Sequence, residues 1–365
     1  MNDPRPPQGQ AMTLADVARR AKVSTATVSR ALSLPQMVSP ATLRRVQTAV
    51  VALGYVTHGA ARALASRRTH TIGAVIPTLD NAIFANTTHA LQRAFDAAGY
   101  TLLLASHEFD PAAEVRATRT LIQRGVDALV LLGTTHDPEV FRMIAARQVP
   151  YVLTWAYDTS GQHPSVGFDN RAAAMAVANH LLDLGHRRIA MIAGLTANNE
   201  RARERVAGVK AALKARRLSL AGCVEKPFTL AAGREGLRAV LATAPRPTAV
   251  VCGNDVLALG AIAQAQAQGL QVPRDLSVTG FDDMEIASLL TPGLTTVHFP
   301  TAELGSRAAA HVLARLADEP VPQQTELPVE LVVRESTAAP KLSQGKQSSV
   351  IPAKAGIHGR SKSVG

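Results

Sequence analysis

From residue 72 onward, the sequence alternates between short apolar runs and longer segments with helical spacing. Seven runs of four to six residues are almost continuously apolar, and most are followed by a segment long enough for a helix. Strands that are apolar along their whole length are covered on both faces, which is typical of parallel sheets flanked by helices. The seven runs are 72–77, 102–105, 128–132, 151–154, 189–193, 249–252 and 276–280.

The number of these strands indicates two lobes rather than one. About 270 residues carry at least seven strands, which favours two doubly wound α/β lobes, each with a parallel sheet. Ligands of such sheets bind beyond the carboxyl ends of the strands, so a cleft between the lobes is expected. The helices are predicted at 82–98, 111–124, 138–147, 171–184, 200–217, 233–243, 256–268 and 301–316.

The N-terminal part has a different pattern, that of three short helices. Thr13, Ser24 and Ser39 stand where helix N-caps are expected, and Asp16 follows Thr13 at the third helical position. Small residues join the first two helices, which is typical of an all-α helix-turn-helix module. These helices are predicted at 13–20, 25–32 and 40–53.

The charge is distributed unevenly along the chain. Residues 1–70 hold ten basic and two acidic residues, whereas residues 71–340 hold 24 basic and 26 acidic ones. Residues 341–365 hold five basic residues and no acidic one, and we expect them to form a disordered tail. A basic module beside a nearly neutral body suggests a polyanion as partner of that module, although charge alone also fits a role in solubility.

The second helix of a helix-turn-helix enters the major groove of DNA. Its early residues are therefore candidates for base contacts, with Arg30 able to reach a guanine or a phosphate. Three other residues suit phosphate contacts, namely Ser39, Thr42 and Tyr55. The alternative is that the three helices serve protein contacts. The base-contact candidates are Ser24, Thr25, Ala26, Thr27, Ser29 and Arg30.

At this point the motifs become specific to one family. The stretches TLADVARRAKVSTATVSRAL and VSPATLRRVQTAVVALGY closely resemble the headpiece of the lactose/galactose repressor (LacI/GalR) family. The similarity extends over residues 12–340, with landmarks such as IGAVIPTLDNAIFA, GVDALVLLG, VGFDN, HLLDLGHRRIAMIAG and VPRDLSVTGFDDME. The resemblance implies lobes like those of periplasmic sugar-binding proteins, and a sequence-specific, dimeric DNA-binding repressor of a carbohydrate or sugar-acid utilisation operon. A small-molecule effector bound between the lobes would release it from a palindromic operator.

The resemblance also implies a division of the chain and further DNA contacts. The expected parts are a DNA-binding domain at 12–58, a hinge helix and linker at 59–69, and an effector-binding and dimerisation domain at 70–340. Within the hinge, Leu64 would insert into a minor-groove step with Ala61 beside it, and Thr13 and His58 complete the expected DNA contacts. The pair His58-Gly59 departs from the Asn-Arg that the family often has there.

The resemblance further implies an effector site between the lobes. Other roles are the alternatives for several of its residues: Asp169, Asn254 and Asp255 could cap helices, the phenylalanines could lie in the core, and Arg205 could lie on a solvated helix face. Trp155 stands where many sugar-responsive members have aspartate, which argues against transferring the ligand of any particular member. The stretches TTHDPEVFRMI and VGFDN are somewhat similar to gluconate-type repressors, so a sugar acid is the favoured effector. The expected lining is Asp80, Asn81, Ile83, Phe84, Trp155, Asp169, Arg205, Phe228, Asn254, Asp255 and Asp282.

Other function classes find little support in the sequence. The motifs of nucleotide-binding loops, serine hydrolases and zinc proteases do not occur, so we expect neither an enzyme nor a cofactor or metal. Two cysteines, no apolar run of membrane-spanning length and an N-terminus unlike a signal peptide favour a cytoplasmic protein without membrane contacts. A solute-binding protein would share the lobes but not the headpiece. A co-repressor-dependent repressor or an activator of the same architecture remains an alternative.

Overall fold

The computed structural model of the protein describes residues 12–56, 68–158 and 160–341. The first range contains helices α1 (Leu14–Ala21), α2 (Thr25–Ser33) and α3 (Pro40–Leu53), with a 3-10 turn at Pro35–Met37. Their buried side chains form a small core of their own, and all three helices are confirmed close to the predicted bounds. Most of the predicted hinge and of the C-terminal tail lies outside the described residues.

The helix starts follow from local side-chain chemistry. Thr13 and Asp16 form a reciprocal capping box, in which the Asp16 carboxylate accepts from the Thr13 amide at 3.0 Å. The hydroxyls of Ser24 and Ser39 accept from the amides of Thr27 and Thr42, at 3.1 and 3.3 Å. Each bond satisfies an amide that has no partner within its own helix. The three predicted N-caps are therefore confirmed.

The remaining strands and helices alternate, as predicted. The strands are β1 (Thr71–Ile76), β2 (Thr101–Ser106), β3 (Ala128–Leu132), β4 (Tyr151–Thr154), β5 (Ser165–Gly167), β6 (Ile189–Gly194), β7 (Gly222–Lys226), β8 (Ala249–Cys252), β9 (Ser277–Thr279), β10 (Thr296–His298), β11 (Gln324–Glu326) and β12 (Glu330–Val332). The helices are α4 (Ala82–Ala97), α5 (Pro111–Gln123), α6 (Pro138–Arg147), α7 (Asn170–Asp183), α8 (Glu200–Ala215), α9 (Leu230–Leu241), α10 (Asp255–Ala267), α11 (Glu285–Leu289) and α12 (Thr301–Leu316).

Two parallel sheets organise these strands into two lobes. One sheet has six strands in the order β11-β5-β4-β3-β1-β2, and the other has four in the order β7-β6-β8-β9. A short antiparallel pair, β10-β12, lies beside the second lobe. The first lobe, formed by the six-stranded sheet with α4, α5, α6 and α12, is called the N-lobe, and the second is called the C-lobe. The prediction of two doubly wound lobes is confirmed.

The chain passes between the lobes at three places. It leaves the N-lobe after β5 at Phe168, returns before α12 at Phe299, and leaves again after β11 at Leu327. All three side chains are buried, and the rings of Phe168 and Phe299 stack with centroids 4.4 Å apart. The lobes are therefore joined by short, packed connections, which permit rotation of one lobe against the other more readily than separation.

The sequence-based bounds differ from the structure in a few places. All seven apolar runs are strands, but the three-residue strands β5, β10, β11 and β12 and the strand β7 were not predicted. Helix α9 begins at Leu230 rather than at residue 233, because Thr229 caps it by accepting from the amide of Ala232 at 3.1 Å. No helix in the described ranges is long and apolar enough to cross a membrane.

Candidate nucleic-acid interface and ligand cleft

Helix α2 presents a polar face to solvent. Its apolar side is formed by Val28 and Ala31, which are buried against the other two helices. Small side chains on the outer face allow close approach to another surface, and the one long side chain is that of Arg30. The exposed residues of this face are Thr25, Ala26, Ser29, Arg30 and Ser33.

The hydroxyls at the starts of α2 and α3 are already partly used by helix capping. Ser24 and Thr27 share a hydrogen bond of 2.8 Å, and the Ser39 hydroxyl donates to that of Thr42 at 3.0 Å. Helix N-termini bind anions through free amides, so both starts suit phosphate groups even though their side chains are engaged. Thr13, at the start of α1, is exposed within its capping box.

Of the remaining residues predicted to contact DNA, only Tyr55 belongs to the described residues. Tyr55 is a core residue of the three-helix module, so its ring serves packing, and any phosphate contact would have to come from its hydroxyl. His58, Ala61 and Leu64 lie outside the described residues. Within 12–56 the chain carries six basic residues and one acidic residue, which is the charge balance of a surface that faces a polyanion.

Arg45 connects α3 to the turn between α1 and α2. Its guanidinium, which extends from α3, donates to the carbonyl oxygens of Ala21 and Lys22, the latter at 2.7 Å. These carbonyls belong to the C-terminal end of α1, where helix acceptors lack partners and a positive charge is favoured. Lys22 adopts a left-handed conformation with φ 53°, which closes the turn into α2.

A cleft lies between the lobes at the carboxyl ends of their strands. The space between its walls is about 370 Å³ when the part open to solvent is included. Eight of the residues predicted for an effector site line it: Asn81, Ile83, Phe84, Trp155, Arg205, Phe228, Asn254 and Asp282.

Arg205 is the central polar group of the cleft. Its side chain is almost fully buried, and its guanidinium donates to the carbonyl of Gly253 at 2.7 Å and to Asn170 Oδ1 at 3.0 Å. It also lies 3.6 Å above the Phe281 ring and 3.6 Å from the Asp282 carboxylate. Burial lowers the pKa of Arg205 to about 10, so it stays charged at neutral pH. The solvated helix face considered above is thus ruled out for this residue.

Two carboxyl groups lie behind the guanidinium. Burial raises the pKa of Asp282 to about 8, against the opposing effect of Arg205, and raises that of Asp255 to about 6. Asp255 accepts from the Thr296 hydroxyl at 2.6 Å and from the Met284 amide at 2.8 Å. The pair therefore carries less than its full negative charge near pH 7.

Aromatic rings form the wall of the cleft. Trp155 is buried, and its ring meets the edges of Phe84 and Phe299 at 4.8 and 5.4 Å between centroids. Phe228 closes the opposite side by lying against Gly194 at the end of β6. A Cβ atom at Gly194 would come within 2.2 Å of the Phe228 ring, so only glycine lets the ring approach there. Such a wall suits the apolar face of a sugar ring.

Three predicted effector residues do not line this cleft. Asp80 is exposed, and Asp255 is engaged behind the lining as described. Asp169 caps α7 by accepting from the amides of Arg171 and Ala172 at 2.8 and 2.9 Å. Asn254 combines both proposed roles, because its oxygen caps α10 while the residue also lines the cleft.

The cleft also contains residues that the sequence did not single out: Phe109, Asn199, Arg201 and Ala202. The last three lie at the start of helix α8. The spacing of apolar residues in this helix does not indicate that its first turn contacts the other lobe. Arg201 lies four residues before Arg205, on the same face of the helix, which is the one signal that could have indicated it.

The first turn of α8 joins the two lobes. Glu200 accepts from the Thr134 amide of the N-lobe at 3.0 Å and pairs with Arg201 at 2.9 Å. Arg203 donates to the Thr135 hydroxyl at 3.1 Å. Gly133 makes room for this contact, since a Cβ atom there would lie 2.4 Å from Arg201 Nη1. We call these contacts the inter-lobe latch, since they connect the two lobes beside the cleft.

Comparisons with known protein families agree with this architecture. Residues 13–58 match the family of bacterial regulatory proteins called the lacI family. Residues 178–337 match the periplasmic binding protein-like domain.

Individual relatives match along most of the chain. The ribose operon repressor of Escherichia coli K12 is 35% identical over 331 residues, which is 90% of this chain and 99% of that protein. Catabolite control protein A of Priestia megaterium is 31% identical, over 89% of this chain and 99% of its own length.

Solved structures show the same likeness. A crystal structure of the lac repressor dimer bound to operator and an anti-inducer has a TM-score of 0.80 and 29% identity, and covers 90% of this chain and all of that one. The transcription regulator GntR of Chromobacterium violaceum has a TM-score of 0.70 and 32% identity, and covers 73% of this chain and 99% of that one.

Proposed function

The chain belongs to the lacI family of bacterial regulatory proteins, and from that premise we propose that it is a transcriptional repressor of a carbohydrate or sugar-acid utilisation operon. It binds a palindromic operator as a dimer in the cytoplasm and releases it when a small molecule occupies the cleft. The observation that carries the proposal is the pairing of an exposed, basic α2 face with a buried arginine in a cleft between two lobes.

The polar groups of the cleft support a sugar acid as effector. Arg201 and Arg205 both line it, and a guanidinium pairs with a carboxylate in a bidentate way. The raised pKa of Asp282 removes part of the negative charge that would repel an anion. The rings of Phe84, Trp155 and Phe228 provide apolar surface for the carbon skeleton.

The mechanism is a shift between two arrangements of the lobes. In one arrangement the N-lobes of a dimer hold the two α2 helices at the spacing of the operator half-sites. A ligand in the cleft favours a second arrangement, in which the N-lobe rotates about the connections at Phe168, Phe299 and Leu327. The connections to the headpieces then lose the register that the operator requires. In this scheme the parts are the DNA-binding domain at 12–58, the hinge at 59–69 and the effector domain at 70–340.

Two alternatives share this architecture. A co-repressor would strengthen operator binding instead of ending it, and an activator would use the same contacts to opposite effect. The relatives named above are transcription regulators, and we assign no catalytic role to any residue of the cleft.

The test is a gel shift with the full chain and the DNA upstream of its own gene. We expect specific retention that weakens steeply with salt, because phosphate contacts release counterions. Sugars and sugar acids are then added one at a time, and a ligand that releases the DNA supports the repressor. Retention that is equal for unrelated DNA at every salt concentration would contradict the proposal.

A further inference from the structure

A second chamber lies beside the cleft, on the N-lobe side. It follows the carboxyl ends of β2 and β3 and measures about 500 Å³ when the part open to solvent is included; we call it the side pocket. Phe109 lines both the cleft and the side pocket, so the two spaces are neighbours that share this ring as a wall. Phe109 and the preceding Glu108 have φ angles of 60° and 48°, a left-handed pair that turns the ring toward the cleft.

His107 is the unusual residue of the side pocket. It is 8% exposed, and neither of its ring nitrogens has a hydrogen-bond partner among the described residues. Leaving a buried polar group without a partner is costly, so such groups are rare in folded proteins. The neighbouring His136 is the contrast, because its ring contacts Glu114 Oε1 at 2.6 Å and the Gly133 carbonyl at 3.0 Å.

The chemistry of the side pocket selects its ligand. Burial lowers the pKa of His107, so the ring is neutral at pH 7 and offers one donor and one acceptor. Glu114 and Asp137 line the pocket and no lysine or arginine does, which disfavours an anion. Arg203 donates to the Thr135 hydroxyl in a contact exposed to solvent, and to the Thr196 carbonyl, but does not line the pocket. A hydroxyl group both donates and accepts, so it complements a neutral imidazole.

We propose that the side pocket is a second carbohydrate subsite, which takes a neutral hydroxylated ring attached to the ligand of the cleft. The inference rests on the proposed function for the ligand of the cleft and adds the subsite to it. The effector then has two parts: an acidic unit beside Arg201 and Arg205, and a neutral ring whose hydroxyl pairs with His107. Phe109 lies between the two units and offers each an aromatic surface.

Thermal unfolding of the ligand-free full chain tests the role of His107 without any ligand. We expect His107→Phe to unfold at the same temperature as the parent or higher, because it removes two unpartnered nitrogens and keeps a ring. The matched control is His136→Phe, which breaks two hydrogen bonds and should unfold several degrees lower. A His107→Phe variant that is destabilised as much as His136→Phe would show a structural histidine and overturn the proposal.

Calorimetric binding of two probes tests the subsite itself. The probes are gluconate, a single acidic unit, and cellobionate, the same unit carrying a neutral glucose ring. We expect the parent to bind cellobionate at least tenfold more tightly, His107→Phe to reduce this ratio to near one, and His107→Gln to retain part of it. Gln keeps a donor and an acceptor and serves as the conservative variant.

The subsite proposal is overturned if the parent protein does not prefer cellobionate, whether it binds both probes equally or binds neither. A ratio unchanged by His107→Phe does the same. Failure of the proposed function gives a different result, namely no specific retention of operator DNA in the gel shift without sugar. That measurement does not depend on the side pocket.

Discussion

Arg30 is the exposed side chain of α2 with the longest reach toward a base edge. We expect Arg30→Ala to weaken specific operator binding by about tenfold or more, since one good arginine contact to a base contributes about 1–3 kcal/mol. Stability should stay within about 0.5 kcal/mol, because the residue is exposed. Fluorescence anisotropy with labelled operator and with unrelated DNA measures the change.

The matched control is Arg147→Ala, which removes the same charge from an exposed position at the end of α6. It should leave the affinity for operator unchanged. Equal losses in the two variants would mean that only net charge matters, and would contradict base recognition by α2.

We expect Asp282 to make the stability of the protein depend on pH. The folded chain keeps this proton until about pH 8, whereas an unfolded chain loses it near pH 4, so its contribution is lost as pH rises through 8. We expect the unfolding temperature to fall between pH 6.5 and 8.5, and to fall less in Asp282→Asn. The buried histidines titrate below this window, because burial lowers their pKa. Parallel curves for parent and variant would show that Asp282 is ionised throughout.

The roles of some residues could be predicted from their sequence neighbours, and the roles of others could not. The caps Thr13, Ser24 and Ser39 were predicted because capping depends on residues three positions apart. Phe109 and Arg201 were not, because one depends on a left-handed backbone and the other on where the opposite lobe lies.

At the scale of elements, the joint between α1 and α2 depends on a residue of α3. We expect Arg45→Ala to destabilise the three-helix module by about 1–2 kcal/mol, because two carbonyls lose a charged donor. Hydrogen exchange of the full chain should show faster exchange in α1 and α2, with no change in the lobes.

Arg44→Ala is the control for this prediction, since it removes an equal charge from the next, exposed position. Operator affinity should fall further in Arg45→Ala than in Arg44→Ala. The same exchange rates in both variants would mean that the turn does not depend on the guanidinium.

The strands show what apolar patterning can and cannot reveal. Strands β1, β3, β4, β6 and β8 are central and buried, so their sequences are continuously apolar. Strand β7 lies at a sheet edge with an alternating sequence, and β12 is three residues long with Glu330 exposed. Such strands form because a neighbour offers hydrogen-bonding groups, and the local sequence carries little of that information.

At the scale of the whole molecule, we expect the inter-lobe latch to set the width of the cleft. Gly133→Ala places a methyl group 2.4 Å from Arg201 Nη1 and 2.6 Å from Glu200 Oε1, at a φ of 103° that alanine tolerates poorly. We expect the latch to open and small-angle X-ray scattering to show a wider molecule. Gly269→Ala is the control, since φ there is 72° and no atom lies within 4 Å. Identical scattering of the two variants would contradict a latch.

The central claim is that the three-helix module binds a specific DNA sequence and that a ligand bound in the cleft controls this binding. Selection from a random pool of DNA duplexes by the full chain tests it most directly, with and without a panel of sugars and sugar acids. We predict enrichment of an inverted repeat, its loss in Arg30→Ala, and a change in retention of the selected duplex with at least one ligand. A pool that yields no common sequence, or a selected duplex whose retention no ligand changes, would contradict the claim.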